Sequence, residues 1–476
     1  MMQIIHWGRC FAVISAVLSC SLVGAASGDA DPQFGAGGIA LVDFTVLTGA
    51  PGNTYNASTT VDATGRTWAA VTVVGATNSG LGLARLTRDG QLDGSFGTAG
   101  RVFVPAPSLS SFSLIGLRIG ADGKAYVAYS QGNGAYASWY VCRIAANGSF
   151  DSSFFGGCAG ASPANGAVAH DLLISPSDGN VWVLGTAQDP SSHLYEPAVA
   201  EFDVTFDVIR TATFPVMGAN IDAVAGTMDR LGSLYFTGGY TTASNNTDAV
   251  IGYIHGTGNQ FTYQLLNIIA FDVGGTLADV GRCIVVTPDY GLLIGVAVDS
   301  GYDGIEWGSA KMLLSPGDPL DSTYGTGGKE VHLIADPELG RGNGNYSING
   351  CQLGRDGALN MVGSYAFTDP VPNAPARAVT LYRLLPDGTP DAGFGGASAV
   401  PGVFYTLAYP GAVLDFLRPL SSTRPLYDSG LSISAVLPNT GSMIVGGVSR
   451  RADGTTNGDL AVMRVLGDDI FNSGFE

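Results

Sequence analysis

The chain has 476 residues, a net charge of −18 and only three lysines (Lys124, Lys311, Lys329). That balance excludes nucleic acid and anionic membrane surfaces as partners, since both attract basic patches. Charged residues are 13% of the chain against about 25% in an ordinary domain, and glycine, at 69 residues, is about twice as frequent as usual. Low charge with frequent glycine suits many short strands joined by tight turns. A hydrophobic content of 46% does not suit disorder.

Taken in order, residues 1–28 read as a secretory signal. Arg9 supplies the positive start, Cys10 to Ala25 is an apolar run, and small residues (Gly24, Ala25, Ala26, Ser27, Gly28) offer a cleavage site. The run is shorter than the ~20 residues a spanning helix needs, so it reads as cleaved rather than as an anchor. A variant is lipid attachment at Cys20, which Leu18 and the continuing apolar run fit poorly. The mature chain holds no other candidate span. It is too long for one ordinary compact domain, and a repeat architecture resolves that.

The organising stretch is Leu83 to Val102, LARLTRDGQLDGSFGTAGRV, in which a strand-like run leads into two turns and a new strand. A turn glycine between two apolar runs recurs as Gly65, Gly123, Gly179, Gly232, Gly291, Gly357 and Gly441, a period near 60. Asp-Gly between alternating apolar runs is a strong hairpin signal, because glycine takes the positive φ such a turn needs. An aromatic (Trp68, Tyr126, Trp182, Tyr235) follows three residues after the first four of these glycines. A third run carries Arg85, Arg143, Arg383 or Arg464 at one position, and DGSFG (93–97), DSTYG (321–325) or DAGFG (391–395) follows in several units; DSSFF (151–155) is a variant. The aspartate can cap its turn and the ring supplies buried area between units. The recurring arginines read as structural, each bonding its turn aspartate, rather than as a ring of cations for an anion.

Four strands per unit, A to D, repeated seven times, predict an all-β fold: one seven-bladed β-propeller of four-stranded antiparallel blades. The long interval before Gly441 is an insertion, since residues 396–430 hold no complete set of four. Residues 31–44 read as a turn and a D strand with nothing before them, and the C-terminal unit supplies A, B and C and stops. The N-terminal strand therefore closes the last blade, three strands plus one, and removes exposed edges. The organisation expected is a signal at 1–28, a propeller at 29–466 and a tail at 467–476.

The stretches RLTRDGQLDGSFGTAGRV (85–102) and RLLPDGTPDAGFGG (383–396) resemble the bacterial delta-60 repeat, a β-propeller family of uncharacterised function. The resemblance covers about 31–465. It implies an exported bacterial propeller and brings no catalytic residues. The ending IFNSGFE (470–476) is similar to a short C-terminal signature of some exported bacterial proteins.

Cys142, Cys158, Cys283 and Cys351 survive signal removal, and an even number in an exported chain implies two disulfides with three possible pairings. Position in the repeat favours Cys142–Cys158 within blade two and Cys283–Cys351 across the A strands of blades five and six. His170, His193, His255 and His332 fall in different blades at no ligand spacing, and no nucleophile elbow, P-loop or paired CxxC is present. Strand alternation puts A–B and C–D turns on one face and the varied B–C and D–A loops on the other, where function commonly sits. The richest B–C loop is DSGYDGIEW (299–307). There Asp299, Asp303 and Glu306 could ligate Ca²⁺, and Tyr302 or Trp307 could stack on a sugar; the alternative is an ordinary solvated loop. DGTTNGD (453–459) and SNNTD (244–248) are weaker versions. The expectation is a secreted or periplasmic monomer, a non-enzymatic binding or scaffold protein for a protein or glycan. The alternative is a hydrolase or lyase with carboxylates meeting near a histidine at the central channel.

Overall fold

A computed structural model describes residues 28–467, apart from 50–51, 76–77, 107–111, 133–136, 165, 205–207, 217, 243–245, 258–259, 274–276, 302–304, 318, 333–344, 370–373, 395–402, 406–427, 436–440 and 451–457. Cys20 and the IFNSGFE tail lie outside the described residues.

The strands assemble into seven four-stranded sheets, each in simple A-B-C-D order. Blade one is Gly52–Val61, Thr67–Gly75, Ser79–Leu86 and Arg101–Pro105. The A strands of blades two to seven are Phe112–Ile119, Val168–Ile174, Ala219–Met228, Asp279–Val286, Asn345–Leu353 and Asp428–Ala435. Successive A strands pack against one another in a closed ring and so surround the axis. The core is not one mass. Seven apolar clusters each lie between two neighbouring blades, so every blade is held by two interfaces.

The last blade closes as the termini require. Ile39–Val42 pairs antiparallel with Gly458–Val465, Ile39 opposite Met463 and Val42 opposite Leu460. Gly28 and Leu466 extend the closure through the Gly28 N–H to the Leu466 carbonyl. Val403–Tyr405, inside the insertion, supplies the D strand of blade six.

The repeated turns do more than reverse the chain: they fasten one blade to the next. In blade one the Arg85 Nε donates to Asp93 at 2.8 Å, and its guanidinium lies 5.0 Å from the rings of both Trp68 and Phe96. Its other nitrogen donates to the Ala146 carbonyl of blade two. The Gly97 N–H donates to the Asn147 carbonyl, also in blade two. The closing blade repeats this, with Arg464 on Asp31 at 2.6 Å and on the Arg88 carbonyl at 2.7 Å, and the Gly35 N–H on the Asp89 carbonyl. Arg143 pairs with Asp151 and Arg383 with Asp391 in the same way. Lys311 takes the arginine's place in blade five, 3.1 Å from Asp321. Blade three reverses the charges: Glu201 occupies the strand C position, opposite Arg210 of strand D.

The receiving turn must offer a glycine. Gly90 has φ +75°, and a Cβ there would meet the Gly35 nitrogen at 2.6 Å and the Phe34 ring at 2.9 Å. A Cβ at Gly148 would meet Val102 at 2.6 Å and Phe96 at 3.2 Å, and one at Gly388 would meet the Tyr324 ring at 3.0 Å.

Both disulfides form as the strand positions imply. Cys142–Cys158 joins strands C and D of blade two, and Cys283–Cys351 joins the A strands of blades five and six.

Three outcomes follow from these contacts. Gly90→Ala should cost about 2–3 kcal/mol in urea unfolding, whereas Gly37→Ala, at φ +66° with nothing within 4 Å, should cost only about 1 kcal/mol; equal losses would show that the clash with Phe34 is not real. Removing residues 29–44 should expose the 458–465 edge and drive association by light scattering; a monodisperse truncated chain would refute closure. Replacing Cys283 and Cys351 by serine should destabilise by about 4 kcal/mol and replacing Cys142 and Cys158 by about 3 kcal/mol, because the closed loops differ, 68 against 16 residues.

Candidate functional site

Every A strand carries a β-bulge against its B strand, at one level around the axis. The breaks fall between Tyr55 and Ser58, Leu114 and Gly116, Ala169 and Asp171, Ala223 and Ala225, Gly281 and Cys283, Ile348 and Gly350, and Gly430 and Ser432. A bulge leaves a residue outside the ladder and re-aims it. Among those residues are Asn56, His170, Arg282 and Asn349. The bulges fall near the middle of most A strands, so these residues form a level along the axis between the two faces.

Charged groups of blades two to five meet along this ring. Arg118 donates to Asp171 at 3.1 Å. Asp171 also accepts the N–H groups of Leu172 at 2.8 Å and Gly226 at 3.0 Å, which ties blades two, three and four together. Burial raises the Asp171 pKa despite these donors. His170 Nε2 lies 3.4 Å from Asp222 Oδ1, and Thr186 Oγ1 donates to that oxygen at 2.7 Å. Burial acts to raise Asp222, but His170, Thr186 and the charge of Arg282 prevail and hold it low. Burial lowers Arg282, and Asp222 opposes that. Next to them, between blades one and two, Asn56 Nδ2 donates to Ser113 Oγ at 2.7 Å. The ring thus places two carboxylates about one histidine, flanked by two arginines. Asp171 is mainly a fastener. Asp222, its side chain 54% exposed, and exposed Arg282 face solvent.

The loop singled out from sequence behaves differently. Asp299 closes strand B of blade five and accepts the Gly301 N–H at 2.9 Å, an ordinary turn cap. Tyr302 and Asp303 lie outside the described residues, as do most of 453–459 and part of 244–248. Glu306 is buried on strand C opposite Val298. Trp307 is a correction: the hairpin extends to Asp299 opposite Ile305, and this turns the indole inward. It is fully buried between blades five and six, edge-on to Tyr346 and Tyr382, so no sugar can stack on it. Among the described residues no three His, Cys, Asp or Glu side chains gather as a metal site. Trp68, Tyr126, Trp182 and Tyr235 are all core.

Of the other histidines, His332 is buried against Tyr382 and held near pKa 4 by desolvation. His255 stacks on Tyr253, and His193 sits at φ +59° in a B–C loop. The His170–Asp222 pair was not legible in the sequence, because the bulge that delivers His170 has no residue signature.

The fold and turn pattern define a seven-bladed β-propeller of repeated blades. Two stretches, 69–96 and 120–154, match the family model described as "Domain of unknown function (DUF5122) beta-propeller", which supports a β-propeller repeat family. A protein of unknown function from Dyadobacter fermentans is similar in structure at 10% identity and TM-score 0.44, over 90% of this chain and 98% of that one. The polysaccharide lyase Uly1 is similar at 10% identity and TM-score 0.48, over 86% and 90%. The β-propeller domain of the Trilobed protease from Pyrococcus furiosus is similar at 9% identity and TM-score 0.42, over 89% and 99%. These likenesses concern the fold alone. A comparison with curated proteins returns no match.

Asp279 opens strand A of blade five, where the D–A loop enters, and is 1% exposed. Its Oδ2 accepts the Phe271 N–H at 2.7 Å, while Oδ1 has no partner among the described residues. Burial, joined by Asp248 and Asp272, raises its pKa from 3.8 to about 6. The folded state therefore favours the protonated acid, and stability falls as pH rises from about 4 to about 6. The penalty is about 3 kcal/mol at neutral pH. Asp279→Asn should raise the melting temperature at pH 8 and leave it unchanged at pH 4; equal shifts at both would show that Asp279 does not titrate in this range.

Proposed function

We propose that this protein is an exported, non-enzymatic binding or scaffold propeller that recognises a protein or glycan through its B–C and D–A face. The observation that supports this is the axial ring. Its polar, partly exposed groups line the axis that the face of varied loops surrounds. The opposite face is occupied by turns that fasten the blades and have little freedom to vary. The delta-60 resemblance and the two disulfides favour export. The test is capture of partners on an array of glycans and from extracellular fractions, with the wild type beside a variant carrying His170→Ala and Asp222→Ala. Retention lost in that variant supports the reading. Retention unaffected by it, or no retention, overturns it.

The gathering of Asp171 and Asp222 about His170 favours a second reading, a hydrolase or lyase acting at the axis. A neutral imidazole oriented by a carboxylate can take a proton from a bound substrate. Turnover of a polysaccharide or ester panel by the wild type, abolished by His170→Ala, would establish that reading and displace the first.

A further inference from the structure

Blade four departs from the blades that fasten through their C–D turns. In blade one, residues 87–100 separate strand C from strand D and carry both turns. In blade four only 258–259 intervene between strand C, Thr247–Thr257, and strand D, Gln260–Ile269, with Thr257 opposite Gln260. Residues that elsewhere clasp the next blade are here drawn into strand. The result is the longest outer strand among the described residues, and no strand pairs with its outer side.

The other outer strands carry guards against edge pairing. Arg101–Pro105 has an arginine and a proline, Val208–Thr213 has Arg210, and Lys329–His332 has Lys329 and Glu330. Cys158–Ala161, Ile39–Val42 and Val403–Tyr405 are short. Short length, charge and proline are what keep a sheet edge single. Gln260–Ile269 has none of these, and no charged side chain occurs anywhere in 256–271. Its one irregularity is a bulge that skips Leu266, so the regular edge is Gln260–Leu265. Alternate residues of such an edge turn an N–H and a C=O outward, and a further strand satisfies them.

The occupant follows from charge and pattern. Two copies of a chain with net charge −18 repel each other, and they do so least along an uncharged stretch. This stretch is also complementary to itself. A two-fold axis normal to the sheet pairs a strand antiparallel with its copy, and residues that face each other then share one side of the sheet. Centred on Tyr263, that axis sets Phe261 opposite Leu265 and Tyr263 opposite its own copy on one side, and Thr262 opposite Gln264 on the other. Apolar meets apolar and polar meets polar. Phe261, Tyr263 and Leu265 are partly buried against the core between blades three and four, while Thr262 and Gln264 are exposed.

We infer that two copies of this chain join edge to edge through Gln260–Leu265, making one continuous sheet from two fourth blades. The pairing departs from the monomer expected of the sequence. It uses the outer rim of the propeller and none of the axial groups.

The test is sedimentation velocity on the whole protein across about 1–100 µM. The mass should settle at twice that of the chain, with hydrogen exchange slowing in 260–265 as the dimer fills. Thr262→Lys with Gln264→Lys brings like charges face to face and should weaken the dimer at least about tenfold. Thr262→Lys with Gln264→Glu sets opposite charges face to face and should bring the dimer back. Both positions are exposed, so the fold should survive. A wild type that stays single throughout, one that grows beyond two copies, or a dimer indifferent to the lysine pair overturns the inference. So does a single chain that captures a different protein by this edge. Should the lysine pair fold poorly, the wild type still decides, since a dimer whose 260–265 amides exchange as in the single chain is joined elsewhere.

Discussion

The structure depends on a buried cation that two blades share. Arg85 is 1% exposed, and such a charge persists only with its donors satisfied. Asp93 takes one side, Ser95 another, and the Ala146 carbonyl of blade two a third. Desolvation of a guanidinium costs several kcal/mol, which the three charge-assisted bonds and two ring contacts offset. What the arrangement fixes is register: only one placement of blade two satisfies Arg85, and the same holds for Arg464 on blade one. Blade three exchanges the charges between strands, and blade five uses a lysine held by two aspartates of its own blade. The recurring feature is a charge pair at the turn, not a particular residue.

This use of the C–D turns divides the propeller. One face is committed to fastening, with glycines against aromatic rings and carboxylates drawn low by their donors. Asp93 is lowered chiefly by Ser95, and Asp321 by Thr323. Those aspartates favour folding at neutral pH and lose their contribution as pH falls through the carboxylate range. The A strands hold acids of opposite habit, Asp171 and Asp279, raised by burial. Asp171 and Asp279 are thus penalised for carrying charge, unlike Asp222 beside them, which His170 and Thr186 hold low. A penalty of that kind is tolerated where something other than stability is served.

The fold was readable because its signals are local. Asp-Gly turns, the Asp-x-x-aromatic-Gly turn and the period near 60 each follow from backbone geometry, and a missing A-to-C set at one end matched a missing D at the other. The disulfides followed from strand positions. The site was not readable for the converse reason. A bulge here is occupied by Asn56, Ile115, His170, Val224, Arg282 and Asn349 in different blades, so no residue type announces it. Trp307 was misplaced because the stretch read as a loop, 299–307, is paired strand at both ends, with Asp299 opposite Ile305 and Ala297 opposite Trp307. That pairing carries the indole from a loop into the core.

The distribution of charge completes the argument. The chain is strongly acidic, yet the described ionic groups along the bulges are balanced, Arg118 and Arg282 against Asp171 and Asp222. Further round, Asp248 and Asp272 act on the buried Asp279, so acid is also gathered away from the outer surface. Selectivity at the axis is a matter of which side chains the bulges present, and the repeat leaves those positions free to differ.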